Sequence, residues 1–301
     1  MRPNLTNKFK YAPSDRLDAV SSSDYVTMLQ EASQHLVEIF EYAKIHGRIP
    51  IMEVQEKMIP SMKELLNDFK LSTLLLNLQN KDDYTLFHCI SVGVLSTLMG
   101  KWLHLSDQEM DMLAVAGTLH DVGKLKIPDE ILSKPGKLTH DEFELVKQHT
   151  VFGYEMIDGS PGASSNEALA ALEHHEKVDG RGYPRRLVGN EISVFGKIVG
   201  IADVFQAMVS KRPYHNSLPI YQVLDQMHDG AFGKFDAHFV TLFITKIMEN
   251  LVGETVKLTN GEVGVIIMIN TLDPMRPLIK IDKEFIDLSK NYSINIVDFQ
   301  E

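Results

Sequence analysis

The chain has 301 residues, a formal net charge of −11, 44% hydrophobic and 24% charged residues, the make-up of a globular protein with ample core for one large domain or two smaller ones. So acidic a chain argues against a nucleic-acid polymer as partner, because that binding needs a broad basic face. Cys89 is the single cysteine, which excludes an intramolecular disulfide, and no apolar run approaches the ~20 residues of a membrane span.

The N-terminus MRPNLTNKFKYAPSDRL is too polar for a signal peptide, so the expectation is a cytoplasmic chain with no membrane partner. Residues 1–24 read as irregular, with Ser23 or Asp24 capping the helix that follows. From Tyr25 to about His46 the residues Met28, Leu29, Leu36, Ile39, Phe40 and Ala43 recur at helical spacing, and Gly47 is the expected stop. Further helices are expected over about Met52 to Asp68 and Leu71 to Leu78. Together they make a helical N-terminal module, residues 1–79, for which a regulatory or dimerisation role is the default.

Asp82 and Asp83 open a helix in which Leu86, Ile90, Val94 and Leu98 form one stripe, with His88 beside it. Ser106 and Glu109 have capping-box spacing and start a helix that carries His120-Asp121 and stops at Gly123. Thr139 and Glu142 form a second such pair, for a helix containing His149. Asn166 to Glu176 reads as a helix ending near His174-His175, followed by the glycine-rich loop Asp179 to Pro184. Ile192 to Val209 is a helix bearing Asp203; Pro219 suits a first turn, and a later helix reaches Asn250. Residues 251–301 change character: Val256 and Leu258 alternate with polar residues, Asn260-Gly261 is a hairpin signal, and VGVIIMI follows.

The candidate ligands on this map are His88, His120, Asp121, His149, His174, His175 and Asp203. Taken singly, each has a plain structural reading. His88 fits a core histidine, His149 an exposed helix residue, and His174 and His175 point about 100° apart on a helix. Asp203, a carboxylate in a strongly apolar helix, needs a partner, either a metal or a buried Lys or Arg. Seven such residues exceed the needs of one four-coordinate zinc and suit two near-octahedral ions, a preference compatible with iron or manganese. Asp121 has two oxygens with which to bridge two cations, and Lys124 adds a positive charge at the same helix end.

Four blocks carry a resemblance that spans about residues 80–245: HDVGKLKIPDEILSKPGKLTHDEF, KQHTVFGYEMI, HHEKVDGRGYP and IADVFQAMVSKRPYH. In their order and spacing they resemble the HD-GYP phosphodiesterases of the HD metallohydrolase superfamily. The resemblance implies a mainly α fold: an HD-type multi-helix bundle over residues 80–250, between the N-terminal module and a small β appendage. It implies one metal held by His88, His120, Asp121 and Asp203, and a second held by His149, His174 and His175 with Asp121 as bridge. Relatives with a third ion carry a Glu where this chain has Tyr84, so two divalent ions are expected, iron or manganese first, with magnesium, nickel or zinc left open.

The implied reaction is hydrolysis of cyclic di-GMP to pGpG, with a further cut to GMP left open. A metal-bridging hydroxide would attack phosphorus, supplied by two ions about 3.5–4 Å apart. Asp121 and Lys124 are the expected catalytic residues. Lys124, Gly182, Tyr183, Arg212 and His215 are the expected substrate contacts, with Gly180 and Gly182 letting the loop approach a ligand closely. His215 stands where many relatives have Arg or Lys, which keeps 3′,3′-cyclic GMP-AMP as the alternative substrate. A receptor that binds the dinucleotide without cutting it is the alternative of another class. Homodimerisation and signalling-protein partners are left open.

Overall fold

The computed structural model describes residues 22–68, 84–210 and 218–299. The expected helix over Leu71 to Leu78, the acidic helix start at Asp82-Asp83, the side chain of Tyr84, and the candidate contacts Arg212 and His215 lie outside the described residues.

Two N-terminal helices come first, α1 (Ser22–His46) and α2 (Ile51–Asp68). Gly47 stops α1 in a left-handed conformation, with its N–H donating to Ala43 O at 2.9 Å. α2 buries Val54, Met58, Met62 and Leu65, one face of the helix, against the elements that follow. The long helix α3 (Tyr84–Trp102) departs from the expected one-sided stripe. Every residue from Phe87 to Gly100 is buried, because α3 is the central rod with neighbours on all sides.

α4 (Asp107–Leu119) lies against α3 and begins with the Ser106–Glu109 capping box in both directions. It ends earlier than Gly123. His120 is its last cap, Asp121 leaves helical geometry at φ −100° and ψ 5°, and a 3₁₀ turn runs Val122–Lys126. After α5 (Asp129–Leu132), the Thr139–Glu142 capping box starts α6 (His140–Lys147). His149 lies outside that helix, contrary to the periodic reading. The chain turns at Gln148, whose N–H bonds Leu145 O at 3.0 Å, and His149 is the first residue of α7 (His149–Asp158). α6, which has no fully buried residue, stays on the surface, whereas α7 turns inward.

α8 (Ser165–Glu173) stops before the histidine pair, and α9 (Val194–Val209) is the apolar helix carrying Asp203. α10 (Ile220–Lys234), with Pro219 at its N-cap, and α11 (Ala237–Asn250) complete the bundle. The tail is a five-stranded antiparallel sheet in the order β4-β3-β2-β1-β5. Its strands are β1 (Thr255–Leu258), β2 (Val263–Asn270), β3 (Asp273–Ile281), β4 (Glu284–Asp287) and β5 (Ile296–Phe299). Asn260-Gly261 turns β1 into β2, as the sequence predicts. Val256, Ile266 and Ile279 join one buried cluster with α1, α3, α9 and α11, so the sheet shares the core of the bundle.

Candidate metal centre

Five helices deliver ligand-type side chains to one buried point. α3 supplies His88, the end of α4 supplies His120 and Asp121, and the first turn of α7 supplies His149. The end of α8 supplies His174 and His175, and α9 supplies Asp203. His88, His120, Asp121, His149, His174 and Asp203 are all buried, and His175 is half-buried. Gly123 makes the α4–α7 junction close: a Cβ there would meet His149 O at 1.9 Å, so only glycine lets the turn after Asp121 lie on the start of α7.

Asp121 sits at the middle with its two oxygens facing different histidine pairs. Oδ2 is 3.3 Å from His120 Nε2 and 3.7 Å from His88 Nε2. Oδ1 is 3.3 Å from His149 Nε2 and 3.8 Å from His174 Nε2. Asp203 Oδ1 lies 3.3 Å from His88 Nε2 and 3.9 Å from His120 Nε2, while its Oδ2 is 4.0 Å from His175 Nδ1. Two overlapping groups result, His88-His120-Asp121 and Asp121-His149-His174-His175, each with ligand atoms within 4.8 Å of one another.

The outward faces of the imidazoles are tied down. His120 Nδ1 bonds Gly117 O at 2.7 Å, His149 Nδ1 bonds Val146 O at 2.6 Å, and His174 Nδ1 bonds Ala171 O at 2.9 Å. A carbonyl only accepts, so each Nδ1 carries the proton and each neutral ring turns an Nε2 lone pair inward. His88 Nδ1 bonds Gln206 Oε1, whose amide NH₂ donates to Ser210 Oγ at 2.7 Å, which orients the amide. The inward nitrogens then face each other at 3.3 Å (His88 and His120) and 3.4 Å (His149 and His174).

Electrostatics point the same way. Burial depresses His149 and His174, and pushes His175 down to about 4. Asp121 is held well below the carboxylate range; burial opposes this, but Lys124 and His120 outweigh it. Asp203 is likewise lowered against its burial, by its bond to His88 and the charges of His88 and His120. His120 is the exception: burial would lower it, yet Asp121 and Asp203 raise it. Lone pairs facing one another, ionised carboxylates and a buried Asp121 Oδ1 without a hydrogen-bond partner fit divalent cations between them.

Lys124 reaches back to Asp121, with Nζ 2.5 Å from Oδ2. The DGRGYP loop closes another side. Tyr183 is half-buried, with its ring 4.7 Å from that of His175 and its N–H donating to His175 O at 3.3 Å. Gly182 packs inside the loop, where a Cβ would meet Glu176 Cα and Lys177 N at 2.4 Å. Buried Glu176 fastens the far end of the loop, accepting from Arg185 N at 2.6 Å and Leu187 N at 3.0 Å. Lys147 Nζ lies 5.8 Å from the Tyr183 ring centroid.

Gln206 and Glu176 are functional-site residues that periodicity did not single out. Gln206 had a signal: an amide three residues after Asp203, on the same face of an apolar helix, needs a buried partner. Gln206→Leu is expected to weaken metal binding by roughly 10–100-fold, the usual cost of losing a partner behind a ligating histidine, as measured by titration with a competing chelator. Glu176→Ala leaves two backbone donors without their carboxylate. It is expected to cost about 2 kcal/mol of stability, in denaturant unfolding, and to leave the metal content unchanged.

Residues 53–239 match the family model described as HD domain. The chain is 30% identical over 254 residues to the cyclic di-GMP phosphodiesterase PA4108 of Pseudomonas aeruginosa, covering 84% of this chain and 61% of that protein. It is 39% identical over 192 residues to the cyclic di-GMP phosphodiesterase response regulator RpfG of Xanthomonas campestris, covering 63% and 51%. It is 30% identical over 251 residues to the 3′3′-cGAMP-specific phosphodiesterase 1 of Vibrio cholerae, covering 80% and 57%. The chain thus spans less than two thirds of the length of these relatives. In fold it is similar to Bd1817, an HDG"Y"P protein from Bdellovibrio bacteriovorus, with a TM-score of 0.60 at 15% identity over 76% of this chain and 73% of that one. With the matched region spanning more than half of its length, the chain belongs to the HD domain family.

Proposed function

We propose that the chain is a metal-dependent phosphodiesterase that opens cyclic di-GMP to pGpG. The observation that carries this reading is Asp121, whose two oxygens face separate histidine pairs while Lys124 stands beside it. The first metal group is His88, His120, Asp121 and Asp203; the second is Asp121, His149, His174 and His175. Two divalent ions, iron or manganese, would supply Lewis acidity toward the phosphate and lower the pKa of water.

The chain's own residues do the rest. Fixed Nδ1–H tautomers keep the inward nitrogens free to ligate. Lys124, which burial would lower but Asp121 raises, stays cationic and stabilises charge on the phosphoryl oxygens. Tyr183 offers a ring and hydroxyl as one wall of the substrate site, with Gly182, Arg212 and His215 as the remaining proposed contacts. The relatives named as cyclic di-GMP phosphodiesterases support this substrate; the relative named for 3′3′-cGAMP supports the alternative. Residues 1–79 are proposed as a regulatory or dimerisation module, 80–250 as the catalytic domain and 251–301 as an appended sheet. No helix among the described residues is long and apolar enough to cross a membrane, and a cytoplasmic location is part of the proposal.

The test is chromatography of products from the manganese- or iron-loaded chain incubated with each cyclic dinucleotide. Linear pGpG from cyclic di-GMP is expected. Turnover of 3′,3′-cyclic GMP-AMP alone would reassign the substrate, and calorimetric binding with no turnover of either would make the chain a receptor.

A further inference from the structure

α6 buries none of its residues fully and ends directly before the turn into His149. Its last residue, Lys147, nevertheless keeps only 19% of its side-chain surface, although a lysine at a helix end ordinarily stands in water. Three contacts account for the cover. On its own helix, Glu144 Oε1 lies 2.6 Å from Nζ, and the Phe143 ring, one turn back, has its centroid 5.4 Å away. The third contact leaves the helix: Nζ is 5.8 Å from the centroid of the Tyr183 ring. Both rings lie within the range at which an ammonium is attracted to an aromatic face.

Tyr183 needs such a contact. Its N–H bond to His175 O and the close packing of Gly182 fix the main chain of the loop, but they leave the side chain free to turn. The ring meets His175, with centroids 4.7 Å apart and planes at 34°, and His149, edge-on at 6.5 Å. Those two partners belong to the candidate metal centre; Lys147 comes from the surface helix. Among the described residues no hydrogen bond or ion pair joins α6 to the loop, so the cation beside the ring is the polar joint between them.

A binding wall whose side chain is already set loses less freedom when a ligand arrives. With a cyclic dinucleotide as the proposed substrate, we infer that Lys147 is a positioning residue: it holds the Tyr183 ring against His175 and so tightens substrate binding, while bond cleavage proceeds without it. Phe143 and Glu144 hold the lysine in turn, which keeps its ammonium directed at the loop.

Steady-state kinetics of the manganese-loaded full chain with the cyclic dinucleotide test this role. Lys147→Met, which keeps the length and loses the charge, is expected to raise KM about five- to tenfold, the worth of one partly covered cation–ring contact. Its kcat should stay within about twofold of wild type, because the loss falls on binding and not on the chemical step. Lys147→Arg, whose guanidinium also sits over aromatic faces, should restore KM. Dependence on the ring separates positioning from a merely structural role. In a Tyr183→Phe background, Lys147→Met should cost the same factor; in Tyr183→Leu, which keeps apolar bulk without an aromatic face, it should add nothing. An unchanged KM in Lys147→Met, no rescue by arginine, a fall in kcat in place of the rise in KM, or the same cost in the Tyr183→Leu background would overturn the role. If the wild type binds without turnover, calorimetric affinity replaces KM with the same expected and overturning results. A wild type that neither binds nor cuts a cyclic dinucleotide would overturn the substrate proposal, and this role with it.

Discussion

Asp121→Asn is expected to reduce phosphodiesterase turnover by about a thousandfold or more, the scale set by losing several kcal/mol of cation-assisted charge stabilisation. The reason lies in one carboxylate serving both histidine pairs, with Oδ2 3.3 Å from His120 Nε2 and Oδ1 3.3 Å from His149 Nε2. Asparagine keeps the shape but offers only one acceptor oxygen and no charge, so one of the two groups loses its shared ligand. Elemental analysis of the purified variant should show metal content falling alongside activity. Circular dichroism should show the helical fold retained, because the substitution changes no volume in the core. A variant with full metal content and wild-type turnover would remove Asp121 from the centre of the mechanism.

The metal-free chain should lose stability steeply as pH falls from about 6.5 toward 4, a window set by the ordinary histidine value and by His175, whose pKa burial pushes down to about 4. His149 and His174 are depressed for the same reason. In each case the unfolded chain accepts a proton that the native site refuses. Their contributions are therefore intact above the unfolded pKa and are lost as pH drops through the window. His175 alone is worth on the order of 3 kcal/mol across it. His120 acts in the opposite sense: with a raised pKa, it contributes stability below the unfolded value that is lost as pH rises through the folded one. Three depressed imidazoles outweigh one raised, and the two lowered carboxylates add their loss only further into acid. Thermal unfolding at several pH values reads the slope directly. His175→Gln should flatten it, and saturating manganese should raise Tm above pH 6.5 by mass action on the native state. A flat profile between 6.5 and 4 in the metal-free chain would contradict the electrostatics of the site.

What the sequence by itself determined is the part governed by local chemistry. Capping boxes at Ser106–Glu109 and Thr139–Glu142 are local hydrogen-bond exchanges, and both form as spaced. Gly47 and Asn260-Gly261 end or reverse the chain for local steric reasons, and they do so here. The candidate ligand set was legible only collectively: a His-Asp doublet, a His pair and a carboxylate in an apolar helix each have a plain reading alone, and it is their sum and the order of the blocks around them that point to cations.

Tertiary structure decided what depends on residues far apart in the chain. The 100° between His174 and His175 ceases to matter because α8 ends at Glu173 and both histidines lie beyond it. His149 enters the site only because the chain turns at Gln148 and Gly123 admits the start of α7 at van der Waals range. Periodicity marked one stripe on α3, whereas packing buries all its faces from Phe87 to Gly100. Gln206 and Glu176 gain their roles from partners 118 and 9–11 residues away, the His88 ring and the loop N–H groups at Arg185 and Leu187. Composition and spacing name the groups able to hold cations, but only the packing of five helices turns one aspartate into the point where two histidine pairs meet.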